Sequence, residues 1–180
     1  LLLLAALLLA SCSGSREPVR PLAPPPVLGE PDPADRRMRL TLPRLGGGRV
    51  SVEDFRGQPV ILALFATWDL RSQAEAPYLQ RLHQRLGPRG LKVLGVALGP
   101  VNRKGIPLVE TYVEVMKLDY DILLAEPENL DLVAAVGPTR QVPRTLLLDR
   151  EGRVVLDQMG RTDLQLLTRK VERMLNAGGR

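Results

Sequence analysis

The stretch Leu62-Ala63-Leu64-Phe65-Ala66-Thr67-Trp68-Asp69-Leu70-Arg71-Ser72-Gln73-Ala74-Glu75-Ala76-Pro77 decides how the chain is read. It begins inside an apolar run, Pro59 to Phe65, of the kind that forms a central strand covered on both faces. A short polar turn follows at Trp68. Beyond it Ala76, Leu79, Leu82 and Leu86 recur at helical spacing and predict an amphipathic helix from about Ser72 to Leu86. Gly87-Pro88-Arg89-Gly90 stops that helix, and Leu91 to Leu98 reads as a second buried strand. Strand, helix and strand in this order imply a parallel pair joined by a right-handed crossover.

Upstream, Met38 to Leu42 alternates and reads as a short strand. Leu45-Gly46-Gly47-Gly48-Arg49 is a turn whose glycines supply positive φ, and Val50 to Val52 closes a hairpin. The glycines are not a phosphate loop, because no Gly-Lys-Ser/Thr follows and a strand comes next. Val52 to Gly57 is a one-turn helix ended by glycine. Downstream of a loop at Gly99 to Gly105, a helix is expected over Ile106 to Leu118 and a short extended segment over Asp119 to Leu124. A short helix over Pro127 to Val136, strands over Leu146 to Asp149 and Val154 to Met159, and a helix from Leu164 to Leu175 complete the chain, with Asn176 onward fraying.

Composition narrows the function. Aromatics make up 3% of 180 residues, so the core is aliphatic and the stacking platforms of single-strand nucleic-acid binders are missing. The net charge of +5 is spread along the chain and reads as a solvated surface. One cysteine, Cys12, rules out an intramolecular disulfide, a zinc-ligand cluster and a haem-attachment pair. One histidine, His83, rules out a two-histidine metal site and reads as a surface or packing residue. No cofactor, metal or nucleic-acid partner is expected.

Leu1 to Ala10 is nearly pure Leu and Ala. Ten helical residues span about 15 Å, too short for a bilayer and suited to the apolar part of a signal peptide. A charged start is expected to precede it. Leu9-Ala10-Ser11-Cys12 resembles a bacterial lipobox, which implies lipidation of Cys12 and a membrane anchor; an ordinary signal peptide with an incidental cysteine is the other reading. Residues 13–37, with seven prolines and no apolar periodicity, form a linker. At about 3.1 Å per residue it reaches about 75 Å. The expected organisation is therefore residues 1–12 as leader and anchor, 13–37 as linker, and 38–180 as the folded domain.

The frame Phe65-Ala66-Thr67-Trp68, with Glu75 and Pro77, resembles the active-site segment of thioredoxin-like proteins of the TlpA/ResA type, which read F-W-A-T-W-C-x-x-C-x-x-E-x-P. Leu42 to Gly57 resembles the lead-in of that group. Val142-Pro143-Arg144-Thr145-Leu146-Leu147-Leu148-Asp149 resembles its "P-T-T-F-L-I-D" segment. The resemblance covers Leu40 to about Leu175. It implies an α/β thioredoxin-like fold: a central mixed sheet flanked by helices, an N-terminal β-hairpin, and an extra helix and strand over 106–124. It also implies that the Val142–Pro143 bond is cis and faces the turn, and that the chain sits in the cell envelope on the extracytoplasmic side. Glu75 corresponds to an acid that tunes the family's thiols; with no thiol to tune, a solvated or helix-start carboxylate is expected here.

The two cysteines of that motif are replaced by Asp69 and Ser72. Thiol-disulfide exchange needs a thiolate at the helix start and a second, resolving thiol. A carboxylate and an alcohol supply neither. Both residues are good helix caps, and a carboxylate there also meets the positive end of the helix dipole. Asp69 and Ser72 have no adjacent base and so form no recognisable nucleophile pair. Three readings stay open. One is a binding module, with a groove formed by Trp68, Asp69, Leu70, Arg71, Val142 and Pro143 that holds an extended segment of an envelope protein or unfolded peptide. The second is the family's oxidoreductase activity, against which the residues argue. The third is a structural lipoprotein with an empty groove.

Overall fold

A computed structural model describes residues 37–139 and 141–177. The leader, Cys12 and residues 13–36 of the expected linker lie outside the described residues. The chain runs β1 (Thr41–Pro43), β2 (Arg49–Ser51), β3 (Val60–Phe65), α1 (Leu70–Leu86), β4 (Lys92–Leu98), α2 (Gly105–Met116), β5 (Asp121–Ala125), α3 (Leu130–Val136), β6 (Arg144–Leu148), β7 (Val154–Met159) and α4 (Leu164–Ala177). Short 3-10 turns occupy Val52–Phe55 and Gly87–Arg89.

β3 is the centre. Its six residues are all buried, as the unbroken apolar run requires. The five-stranded sheet has the order β5-β4-β3-β6-β7. β3 pairs parallel with β4 and antiparallel with β6; β4 pairs parallel with β5, and β6 antiparallel with β7. Alternate residues of these strands feed two cores. On one face Ile61, Ala63 and Phe65 meet Leu79, Leu82 and Leu86 of α1, Val109 and Tyr112 of α2, and Leu167 and Val171 of α4. On the other face Val60, Leu62 and Leu64 meet Met38, Leu40, Leu42, Val52 and Leu132 of α3.

The expected mixed sheet, flanking helices and N-terminal hairpin are all present. Details differ at the ends of elements. Met38 to Leu40 is not a strand of the hairpin. Met38 N–H donates to Gly152 O and Leu40 N–H to Glu53 Oε2, so this segment is tied to the domain by other partners. Arg37, assigned to the linker, bridges Arg153. α1 begins at Leu70, two residues before the apolar periodicity, because Asp69 caps it there. Arg144 and Thr145 extend β6 backwards through their pairing with Leu64 and Ala63. Asn176 and Ala177 do not fray: they belong to α4, and Asn176 Oδ1 accepts from Arg89 Nη2 at 2.9 Å. His83 packs edge-on to Tyr120, its Nε2 3.5 Å from Asp119 Oδ1.

In the β1–β2 turn Gly46, Gly47 and Gly48 have φ of 82°, 110° and 78°, which only glycine adopts without strain. Gly95 in β4 is required for a different reason. A Cβ there would lie 2.8 Å from Ile122 Cδ1, 3.0 Å from Tyr120 Cε2 and 3.1 Å from Phe65 Cε1. Its missing side chain is the space those three fill. Gly95→Ala is therefore expected to destabilise the protein by about 1–3 kcal/mol through overpacking. A urea melt should show a lower midpoint with an unchanged slope; an unchanged midpoint would mean that the rings shift aside freely.

Candidate functional site

The site forms where β3 ends. Leu64 is registered against Arg144 on the antiparallel neighbour β6, so the chain entering β6 at Val142-Pro143 arrives beside the chain leaving β3. The Val142–Pro143 bond is cis. Pro143 is buried, and its carbonyl accepts from Gly160 N–H at 2.7 Å.

The turn between β3 and α1 is closed by hydrogen bonds. Asp69 is the N-cap: its Oδ2 accepts from Ser72 N–H at 2.7 Å and from the Ser72 hydroxyl at 2.8 Å. Asp69 N–H donates to Ala66 O, and Gln73 Nε2 donates to Thr67 O at 2.9 Å. Ala66 N–H approaches Ser72 Oγ at 3.4 Å. Ser72 is only 2% exposed. The two positions that carry thiols in the resembling group thus hold each other, one of them inside the protein.

Behind the turn lies a small cavity lined by Ser72, Glu75, Tyr112, Pro143 and Thr145, among others. Tyr112 OH donates to Ser72 O at 3.3 Å, and its ring stacks on Phe65. Burial, and secondarily the negative charge of Asp69, push the Tyr112 phenol up to about 12. Burial also pushes the Tyr120 phenol upward.

Glu75 is neither solvated nor a helix-start carboxylate, contrary to the sequence expectation. It is 6% exposed. Oε1 accepts from Thr162 N–H at 2.6 Å, and Oε2 from the Thr162 hydroxyl at 2.9 Å. Thr145 and Thr162 hydroxyls are 3.0 Å apart. With the Thr162 proton committed to the carboxylate, Thr145 is left as the donor of that contact. Thr162 stands 87 residues from Glu75 on the loop before α4, so no local pattern announces the pair.

The exposed part of the site is apolar and basic. Trp68 is 67% and Leu70 77% exposed, and Arg71 is exposed beside them. The Trp68 ring leans over Gly99, where a Cβ would lie 3.4 Å from Cζ3. It borders a cleft shared with Pro100, Val101 and Leu108. Trp68 and Pro143 consequently border different cavities, on either side of the turn, and Val142 is half-buried against the second core. The six residues expected to form one groove are brought to one end of the sheet, but as two flanks around the capped turn. Among the described residues no group of three or more His, Cys, Asp and Glu side chains gathers as metal ligands.

A mixed sheet with this turn and a buried cis-proline beside it defines a thioredoxin-like domain. Solved structures agree: a secreted thiol-disulfide isomerase from Corynebacterium glutamicum superposes with a TM-score of 0.70 at 21% identity, covering 78% of this chain and 86% of that one. The thioredoxin domain of a thiol-disulfide oxidoreductase from Bacteroides vulgatus gives 0.66 at 22% identity, covering 79% and 97%. The chain belongs to the AhpC/TSA family, whose pattern matches residues 33–157. It is distantly similar to the thiol-disulfide oxidoreductase ResA of Geobacillus thermodenitrificans, with 28% identity over 115 residues. That match covers 64% of this chain and 62% of the length of the relative.

Removing the cap by Asp69→Ala is expected to cost about 0.5–2 kcal/mol of stability, read as a lower urea midpoint. The neutral Tyr112 phenol is favoured in the fold, its pKa lying above the ordinary 10.0. That contribution is fully present below about pH 10 and is lost as pH rises from about 10 towards 12. The urea midpoint should fall across that window, and less steeply in Tyr112→Phe. Asp69→Asn should lower the Tyr112 pKa in a spectrophotometric titration; no movement would remove the charge coupling between them.

Proposed function

We propose that the protein is a redox-inactive thioredoxin-like domain that holds an extended segment of another envelope protein. In this reading Cys12 is lipidated and anchors the chain in a bacterial envelope membrane, on the extracytoplasmic side, with residues 13–36 as the tether. The segment lies across Trp68, Asp69, Leu70 and Arg71 and pairs by its backbone with the chain at Val142-Pro143.

One observation carries the reading. The Asp69 carboxylate is occupied by Ser72 N–H and Oγ–H, leaving neither residue as a nucleophile or a thiol, while Trp68 and Leu70 beside it stand open to solvent. Large exposed apolar side chains flanking a rigid turn fit contact with a partner better than chemistry at the turn itself. Disulfide exchange, the activity for which the relatives are named, has no residue at this turn to carry it.

Trp68 is the only tryptophan, so its emission reports the site directly. Titration with a reduced, carboxymethylated unfolded protein should give a saturable blue shift, weakened by Leu70→Ser. Emission that stays solvent-like at every concentration would remove the binding role. In an insulin-reduction assay with dithiothreitol the chain should not accelerate precipitation, whereas Asp69→Cys/Ser72→Cys should. Acceleration by the native chain would restore the oxidoreductase reading.

A further inference from the structure

On the opposite face of the sheet lies a cleft of about 540 Å³, bordered by residues 37–39, the end of α3, and β6 and β7. That volume is within the range of small-molecule sites, roughly 300–1,000 Å³. Its walls are apolar at Met38, Ala135, Val136, Leu146 and Val154, and its charged lining is Arg37, Arg39 and Arg144 against Asp157. Among the described lining residues, Arg39 and Arg144 stand with the single carboxylate of Asp157. Asp131 and Glu53 border the adjoining hollow that Arg39 also lines, and the Glu53 carboxylate there accepts from Leu40 N–H and the Ser51 hydroxyl.

Arg144 is the unusual member. It follows the cis-proline directly, is 4% exposed, and is held side-on by Asp157: Nε to Oδ1 at 2.9 Å and Nη2 to Oδ2 at 2.7 Å. The remaining nitrogen, Nη1, is buried and has no hydrogen-bond partner. A buried charged donor without an acceptor is costly and uncommon. A planar guanidinium with one unpaired donor nitrogen is also suited to an oxyanion once that nitrogen is uncovered.

We propose that this cleft binds a small oxyanion carried on an apolar body, of the class of an aliphatic carboxylate or a phosphate monoester. The oxyanion meets Arg39 at the exposed mouth and satisfies Arg144 Nη1 as the side chains closing over that atom part. The apolar body lies along Met38, Val136 and Leu146. The cleft shares no lining residue with the two cavities beside the turn, although Arg144 directly follows Pro143.

The 180-residue chain is titrated with sodium phosphate and, separately, sodium hexanoate at constant ionic strength, and amide shifts are followed by nuclear magnetic resonance. Saturable shifts at Arg39, Val136 and Gly137 are expected with at least one probe. Saturation by hexanoate alone assigns the site to carboxylates with apolar tails, and by phosphate alone to phosphate groups; either supports the site. Arg39→Ser, at an exposed position that leaves the fold intact, should weaken binding by about five-fold or more, and Arg144→Met should abolish it. Asp157→Asn removes the competing carboxylate and should tighten binding several-fold. No saturable shift with either probe overturns the proposal. So does binding that Arg39→Ser and Asp157→Asn both leave unchanged.

Discussion

The burial of β3 on both faces is the constraint from which the rest follows. Each of its large side chains contributes about 1.5–3 kcal/mol when fully buried, and Ile61, Leu62 and Leu64 are wholly covered. A strand so placed must have a neighbour on each edge, and here the two neighbours run in opposite senses. The parallel neighbour, β4, is what the α1 crossover delivers. The antiparallel neighbour, β6, brings the start of one strand next to the end of another. That juxtaposition builds the site: the turn after Phe65 and the cis-proline before Arg144 meet because Leu64 and Arg144 are partners in the ladder.

The capped start of α1 holds the turn without any thiol. Helix α1 presents unsatisfied N–H groups at its first turn whatever residues stand there. Asp69 supplies an acceptor, and its charge meets the dipole favourably. Ser72 turns its hydroxyl inward, where Asp69 and Ala66 N–H occupy it. A thiolate poised for attack needs to be accessible. A cap needs the reverse, a side chain folded back on the backbone. The geometry of this turn belongs to the second kind.

The sequence made the fold legible because its strongest signals are periodic and local. The unbroken run Val60 to Phe65, the spacing of Leu79, Leu82 and Leu86, and the triple glycine of the hairpin each point to one structure. The capping role of Asp69 is legible too, since it depends on residues three apart; Ser72, also read as a cap, is instead the helical residue whose N–H Asp69 satisfies. What escaped is non-local. With no thiol to tune, the sequence suggests a solvated or helix-start Glu75; Thr162, 87 residues away, gives it two donors and buries it. Arg144 lies before the strand that the sequence places at Leu146 to Asp149; only the fold extends β6 back to it and brings Asp157 of β7 to neutralise it. The sequence shows the six groove residues as one surface; that the Trp68 ring leans over Gly99 is written in no local pattern.

Glu75 bears on what kind of protein this is. A buried carboxylate is tolerated only when donors surround it, and removing any one of them leaves a polar group stranded. The Glu75–Thr162–Thr145 chain links α1, the loop before α4 and β6, and Thr145 lies next to the residue paired with the end of β3. It therefore ties together the three elements that hold the turn and the cis-proline in place. Such a network has a structural reason to persist without any thiol beside it, so the presence of the acid is no sign of redox chemistry. The exposed residues carry a different message. Trp68 and Leu70 contribute little to the core, and their exposure is not required by the cap, the sheet or the Glu75 network. With the exposed Leu108 of the cleft that Trp68 borders, they are features that stability leaves unexplained and that the proposed contact with another chain would explain.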